Sequence, residues 1–294
     1  MSPTGRLRLS QGGAKRPLMS MQYFSNPTRF TRLAGRIQPW AAGLAAGLLI
    51  AGLYLALVVA PADYQQGDTV RIMFVHVPSA WMALFCYSFL AVASAVALIW
   101  KHPLADMAAK ASAPIGAGFT FLALVTGSLW GKPMWGTWWV WDARLTSMLV
   151  LWLMYAGYLL FRSTTKGDVR RTYSSVFGIL AFVMVPIVYF SIRIWGSVLH
   201  PNEKTKFNLD NRMYHGMALG TLAMLAAYVL LTRLRADADI AEQEVAALRQ
   251  KIDDLESEQL VPPVIDAAKG AGVDKVGIVT EGMRRAAGAA PVGE

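Results

Sequence analysis

Thiol chemistry has almost nothing to work with in this chain, because Cys86 is its only cysteine. No internal disulfide can form, and without a second thiol there is no CxxC redox pair. Cys86 lies in an apolar run and reads as a small buried hydrophobe. Histidine is also scarce, with only His76, His102, His200 and His215. A zinc or copper centre asks for three or four close nitrogen or sulfur ligands. Charge is the third shortage: Lys, Arg, Asp and Glu make up 16% of the residues against 55% apolar, too little for an ordinary soluble domain. Acidic residues are missing altogether from positions 1–39, which carry Arg6, Arg8, Lys15, Arg16, Arg29, Arg32 and Arg36.

What the chain has instead is apolar length. Six runs, near 40–60, 79–100, 113–130, 143–162, 174–195 and 213–234, approach or exceed the roughly 18 to 20 residues that span a bilayer as a helix. They are continuous rather than alternating, which excludes a barrel. The expected fold is an all-α polytopic membrane protein of six transmembrane helices. A formal charge of +9 could suggest nucleic acid, but the basic residues gather in 1–39, in 163–173 (Lys166, Arg170, Arg171) and after the last run (Arg233, Arg235). The segments 61–78, 131–142 and 196–212 are nearly balanced. Basic loops stay inside, so both termini and the 101–112 and 163–173 connections are expected in the cytoplasm. The partner implied by the charge is membrane lipid, not nucleic acid.

The first 39 residues have the composition of a transit peptide but read better as a basic cytoplasmic tail. The first run is too long for a signal-peptide core, and Pro61 would hinder cleavage after it. Gly43 and Gly47 form a GxxxG face. Residues 40–235 make the membrane domain. Beyond it Ala238, Ala241, Val245, Leu248, Ile252 and Leu255 fall three and four apart, a heptad seam on an amphipathic helix expected over 236–260. Residues 261–294, rich in Gly, Ala and Pro, are expected to be disordered.

The outward 130–144 segment holds the chemistry. Five of the ten tryptophans, Trp130, Trp135, Trp138, Trp139 and Trp141, lie there among Gly and Pro. An interfacial belt spreads one or two indoles over each helix end; five in one connection suit a platform for a large flat ligand. Asp142 reads as a helix cap or as a polar handle. Gly127 to Lys132 superficially matches a phosphate loop but lacks its first Gly and its Ser/Thr. Three histidines emerge on the same face: His76 before the second run, then His200 and its rival His215. Paired imidazoles, clustered indoles and arginine together suit haem. Imidazoles ligate iron axially, aromatic faces cover the macrocycle, and Arg144 and Arg71 are placed to pair with propionates. Lys132 and Arg193 are weaker candidates, since interfacial cations snorkel.

The segment Gly-Lys-Pro-Met-Trp-Gly-Thr-Trp-Trp-Val-Trp-Asp-Ala-Arg-Leu-Thr resembles the tryptophan-rich WWD signature of the haem-handling proteins of cytochrome c maturation, and most closely its haem exporter protein C (CcmC) family. The resemblance runs from about Pro61 to about Arg233. It implies that His76, in Arg-Ile-Met-Phe-Val-His-Val-Pro, and His200, in Ile-Trp-Gly-Ser-Val-Leu-His, are the two axial ligands, which favours His200 over His215. Trp135, Trp138, Trp139, Trp141 and Asp142 match the WWD segment. It further implies a non-enzymatic protein of the bacterial inner membrane that holds haem b as transient cargo. The cargo would pass to the haem chaperone CcmE, beside the ATP-binding cassette partners CcmA and CcmB and the small subunit CcmD. A haem-conducting permease would need polar or His residues lining a path through its spans, and these runs are poor in them. A haem lyase acting on apocytochrome c is typically larger.

Overall fold

Lipid cannot satisfy backbone N–H and C=O groups, so each apolar run closes its own hydrogen bonds as a helix. The computed structural model describes residues 27–197, 199–200 and 211–270. Helix α1 (Pro27–Tyr54) runs on into a π turn, Leu55–Val59. A 3-10 turn, Asp68–Ile72, leads into α2 (Met73–Trp100), followed by α3 (Pro103–Trp135) and α4 (Ala143–Thr164). Helix α5 (Gly167–Leu180), a 3-10 turn at Ala181–Val183 and α6 (Met184–Trp195) together make the fifth crossing, and α7 (Asn211–Gly270) makes the sixth. The chain is an all-α polytopic membrane protein with six helices long and apolar enough to cross a bilayer.

Several boundaries differ from the expected ones. The second crossing begins at 68 rather than 79 and the third at 103 rather than 113. The 101–112 connection shrinks to Lys101 and His102, with Lys101 turning the chain at a left-handed φ of 51° and Pro103 opening α3. Pro78 and Pro114 are the cause: they suggest a first turn, yet both lie inside helices, which neighbouring helices in a membrane make tolerable. Pro186 does break regularity. Its ring excludes a bond to the carbonyl four residues back, and the 3-10 turn ending at Val183 absorbs the break. Helix α7 contains the last span and the seam without interruption, and it continues past 260 to Gly270. Residues 1–26 and 271–294, where most of the basic tail and the expected disordered end fall, lie outside the described residues. Two units divide the chain between Thr232 and Arg233, inside α7.

Within the first unit, small residues let the helices approach. Ala83, Cys86, Ala109, Ala113 and Ala123 are buried at the centre, with Cys86 fully so. Gly116 makes room for Tyr155: a Cβ there would lie 2.3 Å from the phenol oxygen, which donates to the Ala83 carbonyl at 2.8 Å. Gly52 of α1 meets Gly220 of α7 backbone to backbone, while Gly43 and Gly47 have nothing within 4 Å of a Cβ position. The GxxxG pair is therefore not the internal contact of α1.

At the end opposite the tryptophans, α3, α4 and α5 are tied by one buried cation. Arg162 donates to both oxygens of Asp106, at 2.7 and 3.0 Å, and also to Tyr158 and Ser174. Removing one partner of a buried pair costs about 3–5 kcal/mol, because the other charge is stranded. Asp106→Ala should therefore lower the melting temperature in detergent strongly. Asp106→Ala with Arg162→Met should recover most of the loss.

Candidate functional site

Three connections leave the bundle at one end: 60–67, 136–142, and the one that starts at Gly196. Gly136 ends α3 at φ 75°, its N–H donating to Lys132 O at 3.0 Å, and Gly196 ends α6 at φ 74°. Gly136 is a left-handed cap, and at both glycines the positive φ would strain a side chain. The 136–142 segment folds back along the last turns of α3. Ser128 Oγ donates to Trp138 O at 2.8 Å, and a Cβ at buried Gly131 would sit 2.9 Å from Thr137 O.

His76 lies inside α2, not just before a span as the sequence suggested, and its ring is turned onto α3. Its Nδ1 is 3.0 Å from Ala123 O and 3.3 Å from Thr126 Oγ1. The Thr126 hydroxyl spends its own proton on Leu122 O at 2.6 Å. Both neighbours therefore accept, so Nδ1 carries the proton and Nε2 keeps its lone pair. The contact depends on Gly127, where a Cβ would lie 2.8 Å from His76 Cε1 and 3.2 Å from Nδ1.

His200 faces the same place from the far end of the chain. The two imidazole centroids are 6.4 Å apart with planes 36° from parallel. Asp142 is the hinge between this ring and the tryptophan segment. One carboxylate oxygen caps α4 by accepting from Leu145 N at 2.8 Å, and the other accepts from the Ser197 hydroxyl. With its proton directed at Asp142, Ser197 Oγ can only accept from His200, whose N–H lies at 3.1 Å and Nδ1 at 3.3 Å. The relay again places the proton on Nδ1 and leaves Nε2 open. Burial pushes the His200 imidazole down to about 4; the positive charge of Arg144 and proximity to His76 add to this, and Asp142 opposes it.

The other expected residues are distributed unevenly. Trp139 is half-buried and Trp135 more open, while Trp138 and Trp141 are 53% and 75% exposed. Trp139 packs edge-on to Trp141 at 5.5 Å, and its buried Nε1 has no acceptor among the described residues. Arg144 Nη1 donates to Val188 O at 2.5 Å, linking α4 to α6. Arg71 Nη1 donates to Ala56 O and Leu57 O at the end of the π turn, while Nε pairs with Asp68. Lys132 lies 6.0 Å from the Trp138 ring and Arg193 5.8 Å from that of Phe190. His215 is exposed early in α7.

Three further residues belong to the site. Trp130 stands edge-on to His76 at 5.7 Å, next to Trp135 at 6.1 Å, with its indole N–H held by Gln66 at 3.0 Å. Ser197 could have been suspected from its Ser-x-x-His spacing, a turn that returns a hydroxyl to the backbone. Gly127 could have been suspected from Gly131 four residues on, which makes one bare helix face.

The family model for heme exporter protein C matches residues 20–251. A heme exporter protein C of Bradyrhizobium diazoefficiens is 41% identical over 255 residues, covering 86% of this chain and 95% of the relative. That of Haemophilus influenzae is 39% identical over 225 residues, 75% of this chain and 92% of the relative. The Escherichia coli K12 protein is 40% identical over 212 residues, 71% and 86% respectively. The family match begins before the first crossing, ends within the last helix and takes in His76 and His200, and the chain belongs to the heme exporter protein C family.

Proposed function

We propose that this protein binds haem b at the tryptophan-bearing end of the bundle, with His76 and His200 as the two axial ligands, and hands it on as cargo during c-type cytochrome maturation. The observation that carries this reading is the ring pair. A metal–imidazole bond of about 2.0–2.1 Å on each face of an iron, plus roughly 1.2 Å from nitrogen to ring centre, sets axial imidazoles some 6.4 Å apart. The rings lie at 6.4 Å, each with Nδ1 tied down. Haem brings four nitrogens of its own, so two neutral imidazoles complete its coordination. Arg144 supplies a cation for one propionate and Arg71 for the other. The Trp139 indole N–H is a further donor for a carboxylate.

The name heme exporter protein C, borne by the relatives, supports haem as the cargo. We take the receiver to be the chaperone CcmE, the working partners to be CcmA, CcmB and CcmD, and the role to be presentation rather than catalysis. Trp138 and Trp141, the most exposed indoles of the segment, suit a docking surface, and Trp135 and Trp139 suit the cargo. The excess of Lys and Arg in 1–39, in 163–173 and after the last apolar run supports an inner-membrane protein with both termini in the cytoplasm. Purification from haem-replete membranes should yield a low-spin haem spectrum together with the chaperone. A haem-free protein, or one carrying apocytochrome c in place of the chaperone, would overturn the reading.

The pH response follows from His200. An imidazole pushed from 6.5 to about 4 stays neutral across the physiological range, so protons do not compete with iron until the pH falls through that lower value. The low-spin spectrum should be unchanged between pH 8 and about 5.5. In the apo-protein the sign works against stability. From pH 6.5 downward the unfolded chain takes up a proton that the folded chain refuses, so the melting temperature should fall with pH until about 4.

A further inference from the structure

The second unit carries an apolar stripe that the site leaves unused. Val245, Leu248, Ile252 and Leu255 are 47%, 60%, 54% and 48% exposed, on one side of a continuous helix. With Ala238 and Ala241 they alternate at three and four residues, the a and d positions of a coiled coil. We infer that this stripe pairs two copies of the protein through a parallel two-stranded coiled coil just outside the membrane.

Three observations select a second copy as the occupant. The stripe directly follows the last apolar run in the sequence, so two copies in one bilayer have their stripes leaving the same side of the membrane and running in the same direction. Parallel, in-register pairing is then the geometry available to them. Next, the a positions carry β-branched Val245 and Ile252 and the d positions Leu248 and Leu255, a distribution that favours parallel dimers over higher assemblies. Finally, the flanking charges are self-complementary. In a parallel pair, a g residue meets the e residue five positions on in the other strand. Glu244 at g meets Arg249 at e, and the sequence carries opposite charges again in Lys251 and Glu256. The one like-charged combination, Asp237 with Glu242, is relieved within the chain, since Arg233 holds Asp237 at 3.0 Å. An unrelated partner would have no reason to match this pattern, whereas an identical helix matches it by construction. The seam is short, but confinement to a membrane raises the effective concentration of the second strand.

The test uses the full chain in its native membranes with the buried Cys86 replaced by Ser. Leu248→Cys, at a d position, should form an oxidant-induced homodimer about tenfold more efficiently than Gln250→Cys, at the outward f position. Arg249→Glu should cut the Leu248→Cys product by about tenfold, and adding Glu244→Arg should restore it. Differently tagged copies must both appear in the band. Equal cross-linking at 248 and 250, a product containing another chain, or indifference to the charge reversal would each overturn the proposal. None of these readouts depends on haem, so they stand or fall apart from the proposed function.

Discussion

His200→Gly and His76→Gly should each abolish the low-spin bis-imidazole spectrum of the purified protein, and added imidazole should bring it back. Loss of one axial ligand leaves the iron five-coordinate, and the space vacated by the side chain fits free imidazole. The two variants should differ in rescue. His200 is held by Ser197 in a connection, whereas His76 is wedged between α2 and α3 against Gly127 and Trp130. The hole left at 76 is the more enclosed, so His76→Gly should need more imidazole. Ser197→Ala should keep the spectrum but weaken haem retention by roughly 10–100-fold, the usual effect of losing the group that orients a ligating histidine. His215→Gly should change nothing. A normal spectrum in His200→Gly with loss in His215→Gly would move the second ligand to His215.

Gly127→Ala should cost as much haem as the loss of Ser197, although the change is a single methyl group. That methyl would stand 2.8 Å from His76 Cε1, so the ring must swing away from Ala123 O and lose the bond that fixes its tautomer. Gly118, in the same helix, has nothing within 4 Å of its Cβ position. Gly118→Ala should leave haem untouched and raise the melting temperature slightly, since alanine is favoured over glycine in a helix by up to about 1 kcal/mol. Comparing the pair separates a steric effect on the histidine from a general effect of stiffening α3. If both variants retained haem equally, the contact between Gly127 and His76 would not matter to binding.

Much of this protein is determined by composition and order alone. An apolar run long enough to cross a bilayer has no folded alternative to a helix, so six crossings are legible without any structure. Their number then places 60–67, 136–142 and the connection after Gly196 at one end, because each crossing reverses the chain. Asp142 as the cap of α4 and Cys86 as a buried hydrophobe were legible for the same local reasons. Tertiary structure decided the rest. Pro78 and Pro114 misplace helix starts, since a neighbouring helix, invisible in sequence, tolerates the bond each removes. The separation of His76 and His200, and the proton positions that leave Nε2 open on both, depend on Ala123, Thr126, Ser197 and Asp142. Those partners belong to other helices and connections. Arg71 shows the limit from the other side: its charge and position were readable, but its hold on the Ala56 and Leu57 carbonyls was not. Helix formation in a membrane is set by the residues of each run, whereas the site is set by contacts between residues far apart in sequence. Packing alone determines those contacts.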